Sequence, residues 1–211
     1  PILTSLQNDY KTLTDKYNSI IKLLSTISFP LGIFLYFAAN DIIYIIYGDR
    51  WENAIPVFKI LALSLPLQMI LSTTGAIYQA SGKTNWLFYG GVSNTCFTVL
   101  GFIIASMYFR TIEAMAWAWD ITLFINTIIS FFILYKIVLK SETKGLFTSI
   151  YPSFISTIFI FIMLYLIHDI LLQLPLISLA IKFLITFSIA ILGVQITGQY
   201  DILKLIKQLK R

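Results

Sequence analysis

The chain has 211 residues, 58% hydrophobic and only 12% charged, with a mean hydropathy of +0.83 and a formal net charge of +5. That balance places it among membrane proteins. A single cysteine, Cys96, excludes an internal disulfide, and with one histidine, His168, there is no basis for a zinc or redox centre, so no metal or cofactor is expected.

The chain opens at Pro1 without an initiator Met or a basic-then-apolar leader, which reads as the later portion of a longer polypeptide. In residues 1–22, Leu3, Leu6, Tyr10, Leu13 and Tyr17 recur at three- and four-residue spacing while Lys11, Asp15 and Lys16 fall elsewhere. This predicts an amphipathic helix on the cytoplasmic surface, or a connecting helix packed on the membrane domain. Six stretches then match the length that crosses a hydrocarbon core of about 30 Å at ~1.5 Å per residue. They lie near residues 23–39, 54–78, 86–108, 112–139, 150–171 and 175–196. The alternation of barrel strands is absent and backbone groups in lipid need internal partners. The expected fold is therefore all-α, a polytopic transmembrane helical bundle over 23–196 with a basic cytoplasmic tail at 197–211.

Pro30 and Pro66 fall inside the first and second spans, and Pro66 is a candidate bending point. Tyr44, Tyr47 and Trp51 surround Gly48 as aromatic anchors at headgroup depth. The second span carries Ser64, Gln68, Ser72, Gly75 and Gln79 on one face, and the third carries Gly90, Asn94, Thr98, Gly101 and Ala105 with the same spacing. Each stripe fits close helix packing or a polar cavity wall.

Eleven of the fifteen basic residues fall on one side of this topology: three before the first span, Lys83 after the second, Lys136, Lys140 and Lys144 around the fourth-to-fifth connection, and four after the sixth. Arg50 and Arg110 lie in the opposite loops, and Lys59 and Lys182 lie within spans. The positive-inside rule puts both termini in the cytoplasm, and the positive charge suits anionic membrane lipids. No basic cluster with interleaved aromatics points to nucleic acid.

GDRWENAIPVFKILAL, residues 48–63, resembles the G-x-x-W-x-x-A-x-P-x-x-x-x-L pattern of bacterial polysaccharide and O-antigen flippases, of the multidrug/oligosaccharidyl-lipid/polysaccharide exporter superfamily, through Gly48, Trp51, Ala54, Pro56 and Leu61. PILTSLQND at 1–9 is similar to the P-x-L-S-x-L-Q-x-D stretch that precedes the same helix in that family. QASGK at 79–83 looks like its A-x-G-[RK] turn, and IEAMAWAW at 112–119 like its G-x-x-G-x-A-x-A segment, with glutamate and methionine where small residues are usual. The resemblance implies two lobes of helices around a central cavity, this chain forming most of the C-terminal lobe and the N-terminal lobe of the same polypeptide being its partner. It implies location in the bacterial inner membrane and alternating access. The implied cargo is an oligosaccharide on undecaprenyl diphosphate, destined for surface polysaccharide or O-antigen.

The candidate substrate-binding residues are Lys182, Asp120, Gln68, Gln79 and Asn94, because a dianionic headgroup needs cations or donors and a neutral sugar needs amides, hydroxyls and aromatic faces. Asp120, in AMAWAWDITLFI, and Lys182 both sit roughly 10 to 12 Å below the outer surface by helical rise. A lone charge near a span centre costs on the order of 2.5 to 3.5 kcal/mol on insertion scales, so the two are expected to interact, directly or through water. Such a pair is either structural or lines the cavity, with Lys182 released to the diphosphate; otherwise Lys182 snorkels outward while Asp120 meets a water-filled crevice. An ion-coupled small-molecule exporter of the same superfamily would use Asp120 for its coupling ion. A polysaccharide polymerase or ligase would need a large outer loop with clustered polar residues, and the outer connections are short. An assembly subunit would need only the packing stripes.

Overall fold

The computed structural model describes residues 9–167 and 175–196. Residues 1–8, the connection 168–174 and the basic tail 197–211 lie outside the described residues, so the expectations for PILTSLQN, the last outer loop and the tail fall there. Among the described residues the fold is helical with no strands, and six helical units are long and apolar enough to cross a membrane.

α1 runs without interruption from Tyr10 to Ile46. Asp9 caps it: its carboxylate accepts the Thr12 amide at 3.1 Å and the Thr12 hydroxyl at 2.6 Å, and these two bonds hold the Asp9 carboxyl below its ordinary value. At ~1.5 Å per residue, 37 residues extend about 55 Å, well beyond a hydrocarbon core of about 30 Å. From Tyr10 onward the amphipathic stretch is continuous with the first spanning helix. Leu13, Tyr17 and Ile21 are fully buried there against Ile70, Ile77, Leu134, Tyr135 and Val138. The helix ends where Gly48 takes φ 78° and donates its amide to Ile43 O and Tyr44 O, a left-handed C-terminal cap that a Cβ would strain. It thus runs seven residues beyond the predicted end at Ala39.

A 3-10 turn, Asp49–Ala54, leads into α2, Ile55–Leu71, and then α3, Thr74–Ala80. α2 continues through Pro66, and the interruption lies at Ser72 and Thr73. Its cause is three consecutive hydroxyls: Ser72, Thr73 and Thr74 donate to the carbonyls of Met69, Ile70 and Leu71 at 2.7, 2.7 and 2.8 Å, offering the backbone an alternative to the helical ladder. Pro66 acts elsewhere. Having no N–H, it leaves the Ala62 carbonyl without its helical donor, and Gly32 of α1 packs on that spot, where a Cβ would stand 3.0 Å from Ala62 O and 3.1 Å from the proline ring.

α4, Thr84–Tyr108, follows the turn at Gly82 and packs chiefly on α5, Ile112–Phe132, with Gly101 against Thr122 and Ala118. α5 loosens into a π-helix over Ile133–Val138. α6, Lys144–Ile167, begins six residues earlier than predicted, so Pro152 lies inside it; α7 is Pro175–Ile196. α1 is the hub, touching α2, α6 and α7, while α5 joins α2 to α4. The α1–α6 contact is made by small polar residues: Ser25 bonds to Ser149 O and the Ser153 hydroxyl, both at 3.3 Å.

Candidate functional site

Lys182 is almost fully buried on α7, but its partner is Asp41 of α1. The ammonium donates to Asp41 Oδ2 at 2.7 Å and to Phe37 O at 3.0 Å, and the Ser178 hydroxyl donates to the same carboxylate oxygen at 2.8 Å. This corrects the expected pairing of Lys182 with Asp120. Asp41 is 4% exposed and lies within the last turns of α1, beyond the predicted end of the first span, where the sequence reading placed it in a loop. A signal was present: IIYIIY continues the apolar run past Asp41 to the stop at Gly48. A buried charge is tolerated when paired and bonded, and Asp41 supplies that here.

Lys59 of α2 lies close enough to Lys182 for their charges to repel, and its ammonium sits 5.9 Å from the centre of the Tyr36 ring. It makes no ion pair among the described residues, and it is only partly buried. This corner of the bundle therefore holds two lysines and one aspartate near the end of the helices that carries Gly48.

Asp120 lies elsewhere, on α5 against α2. Its carboxyl faces the Ser64 hydroxyl, and its Oδ1 is buried without a hydrogen-bond partner. Gln68 donates its amide to Ser64 Oγ at 2.9 Å, so Asp120, Ser64 and Gln68 form one polar group. Gln68, Ser72 and Gln79 are exposed along α2 and α3, a polar strip on mostly apolar segments.

Asn94 enters a third environment. A cavity of about 320 Å³ opens between α3, α4 and the end of α5 that leads to the lysine-rich connection, and Asn94 lines it together with Tyr78, Trp86, Tyr89, Asn126 and Ser130. The Tyr78 hydroxyl donates to Ser130 O at 3.3 Å. The five candidate residues thus fall in three places: Lys182 in a closed ion pair, Asp120 and Gln68 in the α2–α5 seam with Gln79 further along the same strip, and Asn94 in the cavity.

Residues 1–56 match the family described as "Polysaccharide biosynthesis protein". Over 157 residues the chain is 24% identical to the teichuronic acid biosynthesis protein TuaB of Bacillus subtilis, covering 74% of this chain and 32% of the relative. Over 160 residues it is 24% identical to the lipopolysaccharide biosynthesis protein WzxC of Escherichia coli, covering 73% and 31%. An uncharacterized membrane protein in the cps region of Klebsiella pneumoniae is 25% identical over 162 residues, covering 75% and 32%. The chain spans about a third of the length of these relatives. No solved structure matches it. The chain is a multi-pass helical membrane protein related to the polysaccharide biosynthesis proteins of bacteria, as its sequence motifs suggested.

Proposed function

We propose that this chain is the C-terminal part of a transporter that flips undecaprenyl-diphosphate-linked oligosaccharide repeat units across the bacterial inner membrane by alternating access. The observation that carries this reading is the exposed polar strip of Gln68, Ser72 and Gln79, continuous with Ser64 and Asp120, on segments that cross the membrane. Amides and carboxyls at membrane depth are stable against water or protein and costly against lipid. The strip therefore faces the water-filled passage between this lobe and its N-terminal counterpart.

The two ends of the cargo need different chemistry. Among the described residues of that corner, Lys59 is the cation available to the diphosphate, since Asp41 already engages Lys182. The amides of the strip serve the glycan. Lys11, Lys16, Lys22, Lys83, Lys136, Lys140 and Lys144 fall on the side opposite Gly48 in this topology, so that side is cytoplasmic and the Gly48 end faces outward. The ion-coupled exporter has one observation in its favour, the unpartnered Asp120 oxygen, a site for a proton or cation. The two readings separate in a deletion strain. Lipid-linked repeat units accumulating on the cytoplasmic leaflet, with surface polysaccharide lost, is the flippase outcome; lost drug resistance with intact glycan delivery is the exporter outcome and sinks the flippase reading.

A further inference from the structure

The cavity between α3, α4 and α5 differs from the strip in composition. Among the described residues no charged side chain lines it, so none of them offsets a diphosphate there. Two of its aromatic groups lie near the start of α4: Trp86 and Tyr89 are two and five residues into the helix, about 3 and 8 Å from its start by helical rise. Their rings are inclined at 75° with centres 6.5 Å apart. Asn94 lies ten residues into α4, about 15 Å. Asn126 faces it from α5, 6% exposed.

Asn126 is expensive to keep there. A side-chain amide has two donor hydrogens and an acceptor oxygen with two lone pairs, and the bond recorded for Asn126 is a long one, from the Ser130 hydroxyl to Oδ1 at 3.4 Å. Its NH2 group is left for whatever fills the cavity. Leucine at this position would pack a membrane helix better, so the amide needs a polar occupant to offset it. Aromatic faces, two amides and the Ser130 side chain, no charge among the described residues, and a volume of about 320 Å³ together describe a pocket for a small neutral polyol ring, whose C–H face lies on an aromatic ring and whose hydroxyls bond to amides.

We infer that this cavity is a glycan subsite: it takes one neutral or N-acetylated pyranose of the cargo at the lysine-rich end of the bundle, separately from the diphosphate, which goes to the Lys59 corner. The inference rests on the flippase reading and adds to it a second recognition point.

The test uses the protein in its native membrane. Asn126→Leu removes the amide while favouring insertion. With protein level unchanged, delivery of repeat units to the outer leaflet falls about tenfold, the loss typical of an unmade buried hydrogen bond, and units accumulate on the inner leaflet. Asn94→Leu, at a half-buried position, carries the same expectation should Asn126→Leu lower the protein level. In purified full-length protein with every tryptophan except Trp86 changed to Phe, Trp51, Trp117 and Trp119 among them, N-acetylglucosamine shifts Trp86 fluorescence saturably, inorganic diphosphate does not, and Asn126→Leu abolishes the shift. Wild-type delivery from both leucine variants at normal level, in a host where deletion abolishes delivery, overturns the subsite and leaves the flippase reading intact. Normal delivery after deletion removes the flippase reading, and a saturable Trp86 shift then marks a sugar site without that role.

Discussion

At the scale of single residues, the decisive finding is that Lys182 belongs to Asp41. Removing one partner of a buried pair leaves an uncompensated charge, at a cost of about 3 to 5 kcal/mol. Asp41→Asn is therefore expected to lower the level of membrane-inserted protein and its melting temperature in detergent. The apolar double change Asp41→Leu with Lys182→Met restores both, because it removes the desolvated charges together. Lys59→Gln is expected to behave oppositely: the protein level is unchanged, since Lys59 makes no ion pair among the described residues, and on the proposed function repeat-unit delivery falls, Lys59 being the cation proposed for the diphosphate. Immunoblots paired with a leaflet-specific glycan assay separate the two. A level drop in Lys59→Gln with delivery per molecule preserved would make Lys59 structural. The charge pattern alone had suggested Asp120 for Lys182, since both sit at similar depth. Depth is a one-dimensional quantity, and the azimuth that turned Lys182 toward α1 comes from helix packing.

At the scale of elements, the α1–α2 crossing is set by Gly32 against the Ala62 carbonyl that Pro66 leaves unbonded. Gly32→Leu forces the two backbones apart, and overpacking of this kind costs about 1 to 3 kcal/mol; a fall in melting temperature in detergent is the expected reading. Thr73→Ala with Ser72→Ala removes two of the three hydroxyls that divert the backbone between α2 and α3. It is expected to extend α2 toward α3, seen as a gain in amide hydrogen-exchange protection around residues 72–74. The proline was legible in the sequence, and its role was not: a missing N–H marks where a ladder bond is lost, while the neighbour that moves into the space is a tertiary choice. Small residues show the same split. The stripes on α2 and α4 were visible as periodicity, yet the serine-rich contact formed between α1 and α6.

At the scale of the whole molecule, the orientation rests on the lysines. In a cysteine-free background that includes Cys96→Ala, cysteines at positions 83 and 142 are expected to resist an impermeant thiol reagent in cells with a permeabilised outer membrane, while one at position 50 is labelled; the reverse pattern would invert the topology. Among the described residues six helical units of this kind were determined by the sequence itself, because hydrocarbon allows a backbone few options and a run of about twenty apolar residues has one low-energy form there. The stop at Gly48 and the family motifs are local for the same reason: one residue's permitted φ, or one turn's geometry, suffices to write them. Tertiary structure alone decided that the first helix runs on from Tyr10 to Ile46 as part of the bundle, that Asp41 holds Lys182, and that Asn94 and Asn126 share a cavity with Trp86. Each of these depends on which faces of separate helices meet. In a membrane, where apolar faces are equally content with lipid, that is decided by close packing and polar partnering between distant segments, which no single stretch of sequence contains.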